Sequence, residues 1–190
     1  MRHAHIEPSP GEQAPEPARE ANLLGAVALA VADRVRAAAE AGAGEGGSAP
    51  AALVSLAVYL DGGAIDALRV PLGVTHSAAV RVVDRLVGAG LAQRRPGADR
   101  RAVSVELTPA GHEAAEQARE LREQVLEAAL AGLDPAERAE LARLNFKVLA
   151  ALTDGRAAAG RICRLCDANA CGHEQGRCPV TRAADAAEST

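Results

Sequence analysis

The chain has 190 residues, enough for one domain or one domain with a small appendage. Hydrophobic residues make up 48% of it and aromatic residues only 1%, which disfavours all-β folds and surfaces that stack bases on aromatic rings. The apolar run at 23–31 ends at Asp33 and Arg34, too early for a membrane span of about 20 residues. The polar N-terminus does not resemble a secretory signal. We therefore expect a soluble, cytoplasmic protein with no membrane partner.

The N-terminal third of the chain changes from a polar arm to helices. Residues 1–20 are rich in Pro and Glu without an apolar period, which predicts a disordered arm. Apolar residues then recur at helical spacing over 22–41, with Asn22 as a possible cap. A glycine-rich loop at 43–48 precedes a second, mostly buried helix that begins near Pro50 and ends before residue 62. A short helix over 64–72 follows, and Pro71 should distort its last turn.

The segment after Leu72 has the pattern of the second helix of a helix-turn-helix. Gly73 permits a tight turn, and Thr75 is a good N-cap for a helix over 76–88. The spacing turns Val80, Val83, Leu86 and Val87 inward. It leaves Ser77, Arg81, Asp84 and Arg85 on the outer face. Such a helix is suited to the major groove of DNA, although a plain helical hairpin shows the same pattern.

A basic hairpin is predicted next. Residues 91–95 and 101–107 read as two strands around a turn at 96–99, and Thr108 with Pro109 then begins a long helix. The segment from Val74 to Arg101 contains six arginines and two aspartates. This is a local excess of four positive charges on a chain of net charge −4. A local positive field of this kind favours phosphate contacts and insertion into the minor groove. The order of elements is that of a winged helix-turn-helix, in a fold that is mainly α with a small β-wing.

These segments resemble the MarR-type transcriptional regulators. The resemblance is carried by residues 72–77 with Asp84, Arg85 and Leu86, and by Asp99-Arg100-Arg101 followed by Leu107, Thr108 and Gly111. It covers roughly 22–155. It implies a homodimer in which each winged helix reads half of a near-palindromic DNA operator, usually as a repressor released by a small-molecule effector or an oxidant. It also implies that Asp99 orients Arg101 toward the minor groove. Candidate DNA-contacting residues are Thr75, His76, Ser77, Ala78, Arg81, Arg85, Arg94, Arg95, Asp99, Arg100 and Arg101.

Two further long helices are predicted, at about 110–132 and from a cap at Asp134-Pro135 to a stop at Gly155. The family resemblance implies that these helices and the N-terminal helix form the dimer interface; periodicity alone would equally fit a monomeric bundle. The predicted organisation is therefore a disordered arm at 1–20 and a MarR-like winged helix with dimerisation helices at 21–155. Its DNA-binding core lies at 51–111. A cysteine module follows at 156–182 and a flexible tail at 183–190.

All four cysteines lie in the cysteine module, at Cys163, Cys166, Cys171 and Cys178. Disulfides are disfavoured in a reducing cytoplasm, and the segment has few apolar residues that could bury thiols, so metal binding is the favoured interpretation. The long gaps after Cys166 and the proline after Cys178 favour a loop around an iron–sulfur cluster. Zn²⁺ is the alternative, with His173 as a possible replacement ligand. The loop also resembles, more distantly, that of SoxR-like redox regulators.

The sequence thus predicts a DNA-binding regulator whose cysteine module senses redox or metal state. No catalytic constellation is apparent, so we expect no enzymatic activity. Two other functions fit parts of the sequence. An iron–sulfur electron-transfer protein or enzyme subunit on a helical scaffold would explain the cysteines but not the basic wing. A winged helix used only for protein contacts is the other.

Overall fold

The computed structural model describes residues 17–60, 62–96 and 103–189. The helices are α1 (Pro17–Ala43), α2 (Ala49–Val58), α3 (Arg69–Leu72), α4 (His76–Gly88), α5 (Pro109–Leu130), α6 (Pro135–Ala151), α7 (Arg156–Cys163), α8 (Ala168–Cys171) and α9 (Pro179–Glu188). A 3-10 helix at Ile65–Leu68 precedes α3. The strands are β1 (Ala92–Pro96) and β2 (Val103–Leu107), which form the wing.

The core lies where α2, α4 and the wing meet the ends of α1 and α5. Leu53, Leu56, Leu68, Leu86 and Val105 are almost completely buried there. Gly42 lets α1 approach α5 closely, because a Cβ at this position would lie 2.6 Å from the backbone of Gln117. The mainly helical fold with a small wing is confirmed.

The wing is an antiparallel pair in which Ala92 opposes Leu107 and Pro96 opposes Val103. An isolated bridge between Ala64 and Ser104 attaches β2 to the segment before the 3-10 helix. This bridge fixes the wing beside the helix-turn-helix. The predicted turn at 96–99 and the predicted start of the second strand at 101 fall largely outside the described residues.

The helix-turn-helix differs from the prediction in the type of its first helix and in the burial of one residue of its second. The helix over 64–72 is a 3-10 helix followed by one α-helical turn that contains Pro71. The irregular turn therefore precedes Pro71, and the predicted distortion of the last turn is wrong. In α4 the buried residues are Ala79, Val82, Val83 and Leu86, whereas the predicted inward Val80 is half-buried. Gly73 has φ +63° between α3 and α4, as the predicted tight turn requires.

The two ends of the chain are more helical than predicted. Helix α1 begins at Pro17, inside the predicted disordered arm, because proline suits a first helical turn and the following residues favour helix. Helix α9 extends to Glu188, through most of the predicted flexible tail. Ala184 is buried in α9, so packing holds this segment in place. Residues 1–16 lie outside the described part of the chain.

Helices α7, α8 and α9 replace the predicted cysteine loop. Helix α7 packs on α3, where a Cβ at Gly160 would lie 2.8 Å from Cγ1 of Val70. Helix α9 packs on α6, where the guanidinium of Arg182 lies 5.7 Å from the ring centre of Phe146. An ion pair of 2.6 Å joins Arg119 of α5 to Asp167. The cysteine module is therefore attached to three separate helices of the preceding fold.

Candidate nucleic-acid interface and cysteine cluster

The first turn of α4 is presented at the surface. Thr75 caps the helix, since its hydroxyl accepts a hydrogen bond from the amide of Ala78 at 3.3 Å, and the hydroxyl of Ser77 lies 3.2 Å from that of Thr75. Thr75, His76 and Ser77 are exposed and Ala78 is half-buried. The polar groups of this turn can therefore reach a molecule outside the chain.

The outer face of α4 is polar, as predicted. Ser77, Arg81, Asp84 and Arg85 are all exposed, opposite the buried apolar stripe. Arg81 makes no ion pair or hydrogen bond with any residue in the described ranges. Arg85 instead donates to the carbonyl oxygen of Gly46 at 3.2 Å, which ties α4 to the loop before α2. Of these two arginines, Arg81 is the one whose guanidinium is available to a ligand.

The arginines of β1 are paired within the fold. Arg94 donates to Asp84 of α4 at 2.6 Å, and Arg95 donates to Glu106 of β2 at 3.2 Å. Both guanidinium groups remain substantially exposed, so a stronger anion could compete for them. The predicted wing residues Asp99, Arg100 and Arg101 lie outside the described residues, and their roles stay predictions.

Asp66 of the 3-10 helix contacts His76, the first residue of α4, and was not among the predicted site residues. Asp66 accepts hydrogen bonds from Arg69 at 3.1 Å and lies 3.1 Å from Nδ1 of His76. The hydrogen bond from Arg69, followed by that with His76, lowers the pKa of the Asp66 carboxyl below its usual value. In the sequence, only the spacing of three residues between Asp66 and Arg69 indicates that the two side chains could pair. The contact positions His76 at one end of α4.

The structure brings the four cysteines to the ends of short helices. Cys163 ends α7 and Cys171 ends α8. Cys178 caps α9 and is 2% exposed, contrary to the expectation that the segment could not bury a thiol. The amide of Cys166 donates to the carbonyl oxygen of Cys163 at 2.9 Å in a tight turn. Gly172, at φ +71°, ends α8 and redirects the chain toward Cys178.

The thiols interact in pairs along the cluster. A hydrogen bond between Cys163 and Cys166 raises the pKa of the Cys163 thiol. The same bond, aided by the charge of Arg122, lowers the pKa of the Cys166 thiol to about 6 against the effect of burial. Burial and neighbouring thiols raise the pKa of Cys171 to about 12. Of these three thiols, only Cys166 has a lowered pKa.

Cys178 has a different environment from the other three thiols. Burial would raise its pKa, but hydrogen bonds from the amide and hydroxyl of Thr181 outweigh burial and lower it. His173 uses Nδ1 for the Thr181 hydroxyl, at 3.0 Å. Within the described ranges, no three or more Cys, His, Asp or Glu side chains are arranged to hold a metal ion. The thiols are neighbours, without the geometry of a formed metal site.

Tyr59 connects the cysteine cluster to α2. Its ring meets the ring of His173 edge to face, with the centroids 5.6 Å apart. Burial, and then the neighbouring cysteines, raise the pKa of the Tyr59 phenol. Because Tyr59 is the only tyrosine of the chain and there is no tryptophan, the intrinsic fluorescence of the protein reports on the surroundings of this one side chain.

Comparisons with known proteins identify the fold. No family model and no curated protein sequence matches the chain. Solved structures do match. MarR from E. coli in its apo form is 26% identical with a TM-score of 0.54, and the match covers 66% of this chain and 96% of that one. The fold is a MarR-type winged helix.

Other solved structures share this fold. RV1404 from Mycobacterium tuberculosis is 28% identical with a TM-score of 0.58, covering 73% of this chain and 95% of that one. The YusO protein from Bacillus subtilis is 22% identical with a TM-score of 0.60, and the match covers 72% of this chain and 97% of that one. These matches account for nearly all of each neighbour but leave more than a quarter of this chain unmatched. In the described ranges, no helix has the length and apolar character needed to cross a bilayer.

Proposed function

We propose that the chain is a DNA-binding transcriptional regulator rather than an enzyme, and that it represses by binding a near-palindromic operator as a homodimer. The observation that carries the proposal is the outer face of α4, where an exposed, capped first turn lies beside the guanidinium of Arg81, which has no partner among the described residues. Arginine is well suited to this role because its planar fork can donate two hydrogen bonds to guanine in the major groove. The likeness to MarR from E. coli supports the proposal.

Exposed apolar side chains on α1 and α6 support the homodimer. Leu23, Leu24 and Val27 of α1 are each more than half exposed, and no residue of α6 is buried. Leu144 and Phe146 of α6 are 44% and 38% exposed. A second copy of the chain would cover these faces, whereas a monomeric bundle would leave them in water.

Selection from a random double-stranded DNA library, followed by binding titrations on the enriched sequence, tests the proposal. The wild-type protein should enrich paired half-sites about 34–36 Å apart, the spacing of dimeric helix-turn-helix proteins. Arg81→Ala should cost about 1–3 kcal/mol, or roughly 5- to 160-fold in affinity. Arg81→Lys, which keeps the charge, should retain the non-specific affinity and lose the preference for the selected sequence.

Arg143→Ala is the matched control, since Arg143 is an exposed arginine on α6 paired with Glu140. It should bind the selected DNA as the wild type does. If Arg81→Ala and Arg143→Ala bind equally well, α4 is not the reading helix. If the library yields no enriched sequence at all, the winged helix used for protein contacts becomes the better function.

We further propose that the four thiols of the cysteine module bind a metal centre, an iron–sulfur cluster in preference to Zn²⁺. The donor set supports this: four neighbouring sulfur atoms, two of them with lowered pKa values, suit metals that prefer thiolates. When bound, such a cluster would supply a redox-active or oxygen-sensitive group. His173, through its free ring nitrogen Nε2, is the candidate replacement ligand for Zn²⁺.

Purification without oxygen, with a visible spectrum and assays of iron, sulfide and zinc on one sample, tests the metal centre. Iron and sulfide in a sample that absorbs visible light would support the iron–sulfur cluster. A colourless sample with one zinc ion per chain would support Zn²⁺ instead. DNA affinity compared between holo, oxidised and Cys163→Ala protein then tests sensing. Equal affinities would make the centre structural. A bound cluster in a protein without DNA affinity would favour the electron-transfer alternative.

A further inference from the structure

A cavity of about 260 Å³ separates the DNA-binding fold from the cysteine module. One wall consists of the end of α2 and of Ala67, Val70 and Pro71 around α3; the facing wall comes from α7 and α9. The second wall lies beyond Gly155, outside the stretch that resembles the MarR family. The site therefore exists only because the cysteine module packs on the winged helix.

The cavity contains a buried hydroxyl that lacks a partner. Ser55 of α2 lines the cavity and is 1% exposed, and its Oγ makes no hydrogen bond with any group in the described ranges. A serine inside a helix usually donates to the carbonyl oxygen four residues earlier, but this one does not. Since buried polar atoms are almost always hydrogen-bonded, an unpaired hydroxyl that lines a cavity indicates a missing partner.

The remaining lining defines the chemistry of that partner. Most of the walls are apolar, from residues such as Leu60, Val70 and Ala159. Cys163, His173 and Thr181 also line the cavity, and the last two are hydrogen-bonded to each other at 3.0 Å. Arg156 is another lining residue, but it is already paired with Asp185 and Glu188, which leaves little positive charge for an anion. The volume exceeds the roughly 150 Å³ that accommodates benzene and is below the range of about 300–1,000 Å³ typical of drug-sized ligands.

We propose that this cavity binds a small, neutral, ring-sized apolar molecule whose single hydroxyl or amide group hydrogen-bonds to Ser55. The apolar body replaces water against the aliphatic walls, and the polar group satisfies the Ser55 hydroxyl. None of the proposed DNA-contacting residues lines the cavity, so binding there can be tested apart from DNA binding. Cys163 and His173 do line it, so the cavity borders the proposed metal centre.

Titration with cyclohexanol, a neutral ring with one hydroxyl, tests the proposal. Tyr59 lines the cavity and is the only tyrosine in a chain without tryptophan, so intrinsic fluorescence reports on this site directly. We expect a saturable change in Tyr59 fluorescence, with shifts in the backbone amide resonances of Ser55 and Gly160. Ser55→Ala should weaken cyclohexanol binding about tenfold, because a ring without its hydrogen-bond partner keeps only the apolar contacts.

Two leucine substitutions on α7 form a matched pair. Ala159→Leu places its side chain in the cavity and should abolish the fluorescence change. Ala157→Leu makes the same substitution on an exposed position of the same helix and should leave binding unchanged. The proposal is overturned if cyclohexanol produces no saturable change in fluorescence or amide shifts, or if Ala159→Leu binds as the wild type does. Equal binding by Ser55→Ala would overturn the assignment of the hydrogen bond.

Discussion

Asp167 is the residue whose substitution best tests how the cysteine module is held. Its Oδ1 accepts hydrogen bonds from the amides of Asn169 at 2.8 Å and Ala170 at 3.0 Å, which caps α8. Its Oδ2 accepts from Arg119 of α5 at 2.6 Å. One carboxylate therefore both begins a helix between two cysteines and joins the module to the long helix α5.

The two roles of Asp167 can be separated by choice of substitution. Loss of an N-cap costs about 0.5–2 kcal/mol. The ion pair adds at most about 1 kcal/mol, because the side chains are 21% and 30% exposed and water screens the pair. Asp167→Ala, which removes both, should lower the free energy of unfolding by about 0.5–3 kcal/mol. Asp167→Asn caps a helix as well as aspartate does, so it should lose only the ion pair, less than about 1 kcal/mol.

The assay is urea unfolding followed by Tyr59 fluorescence, repeated over a range of pH. The hydrogen bond from Ala170, and then Arg119, lowers the pKa of Asp167 despite partial burial. A group with a lowered pKa contributes stability that is complete above its unfolded value of about 3.9 and is lost as pH falls through the folded value. The difference between wild type and Asp167→Ala should therefore be largest near neutral pH and shrink below about pH 4.

Three results would contradict this reasoning. Equal destabilisation by Asp167→Ala and Asp167→Asn would mean that the cap contributes nothing. Unchanged unfolding of both variants would mean that neither contact holds the module. A difference from wild type that does not depend on pH would exclude the ionised carboxylate as its source. Glu116→Gln is the control, because it removes the other carboxylate on Arg119, at 2.6 Å, without touching the module.

Three further predictions concern other parts of the chain. Gly111→Ala should destabilise the fold by more than about 2 kcal/mol in urea unfolding, because its Cβ would lie 1.9 Å from the carbonyl oxygen of Leu91; Gly132→Ala, with nothing within 4 Å, should not. Val27→Glu should convert a dimeric mass in light scattering to a monomeric one, and a wild-type monomer would contradict the proposed homodimer. Cys178→Ala should lower the metal content per chain, and an unchanged content would exclude the buried thiol as a ligand.

Local polar signals predicted the beginnings of helices well. Thr75 caps α4 and Thr108 caps α5, as predicted. Asp134 and Glu137 form a reciprocal capping box at the start of α6, with amide contacts of 2.7–2.9 Å. These caps depend on residues within three positions of one another, so the sequence contains all the information needed. The helices α7 and α9 were missed. Helix α9 has a local signal, with Pro179 in its first turn and the buried Val180 and Ala184 four residues apart, whereas α7 is held mainly by packing on α3, which no local pattern reveals.

The charge count predicted the position of the basic surface but not which arginines are available. Arg81, Arg85, Arg94 and Arg95 contribute equally to a local sum of charges. In the fold, Arg85 binds a carbonyl oxygen and the two arginines of β1 bind carboxylates on α4 and β2. Those partners lie 10 to 39 positions away in the sequence, and only the tertiary structure shows that they are neighbours.

The attachment of the cysteine module has a consequence for any change in its thiols. Helix α7, which ends at Cys163, packs on α3, and the absence of a Cβ at Gly160 permits the close approach of Val70. Asp167, between Cys166 and Cys171, is bonded to α5, and Arg182, four residues after Cys178, lies over Phe146 of α6. Close-packed contacts of this kind respond to displacement by repacking as a unit. A rearrangement of the thiols that displaced α7 would therefore act on α3, and α3 leads through Gly73 directly into α4.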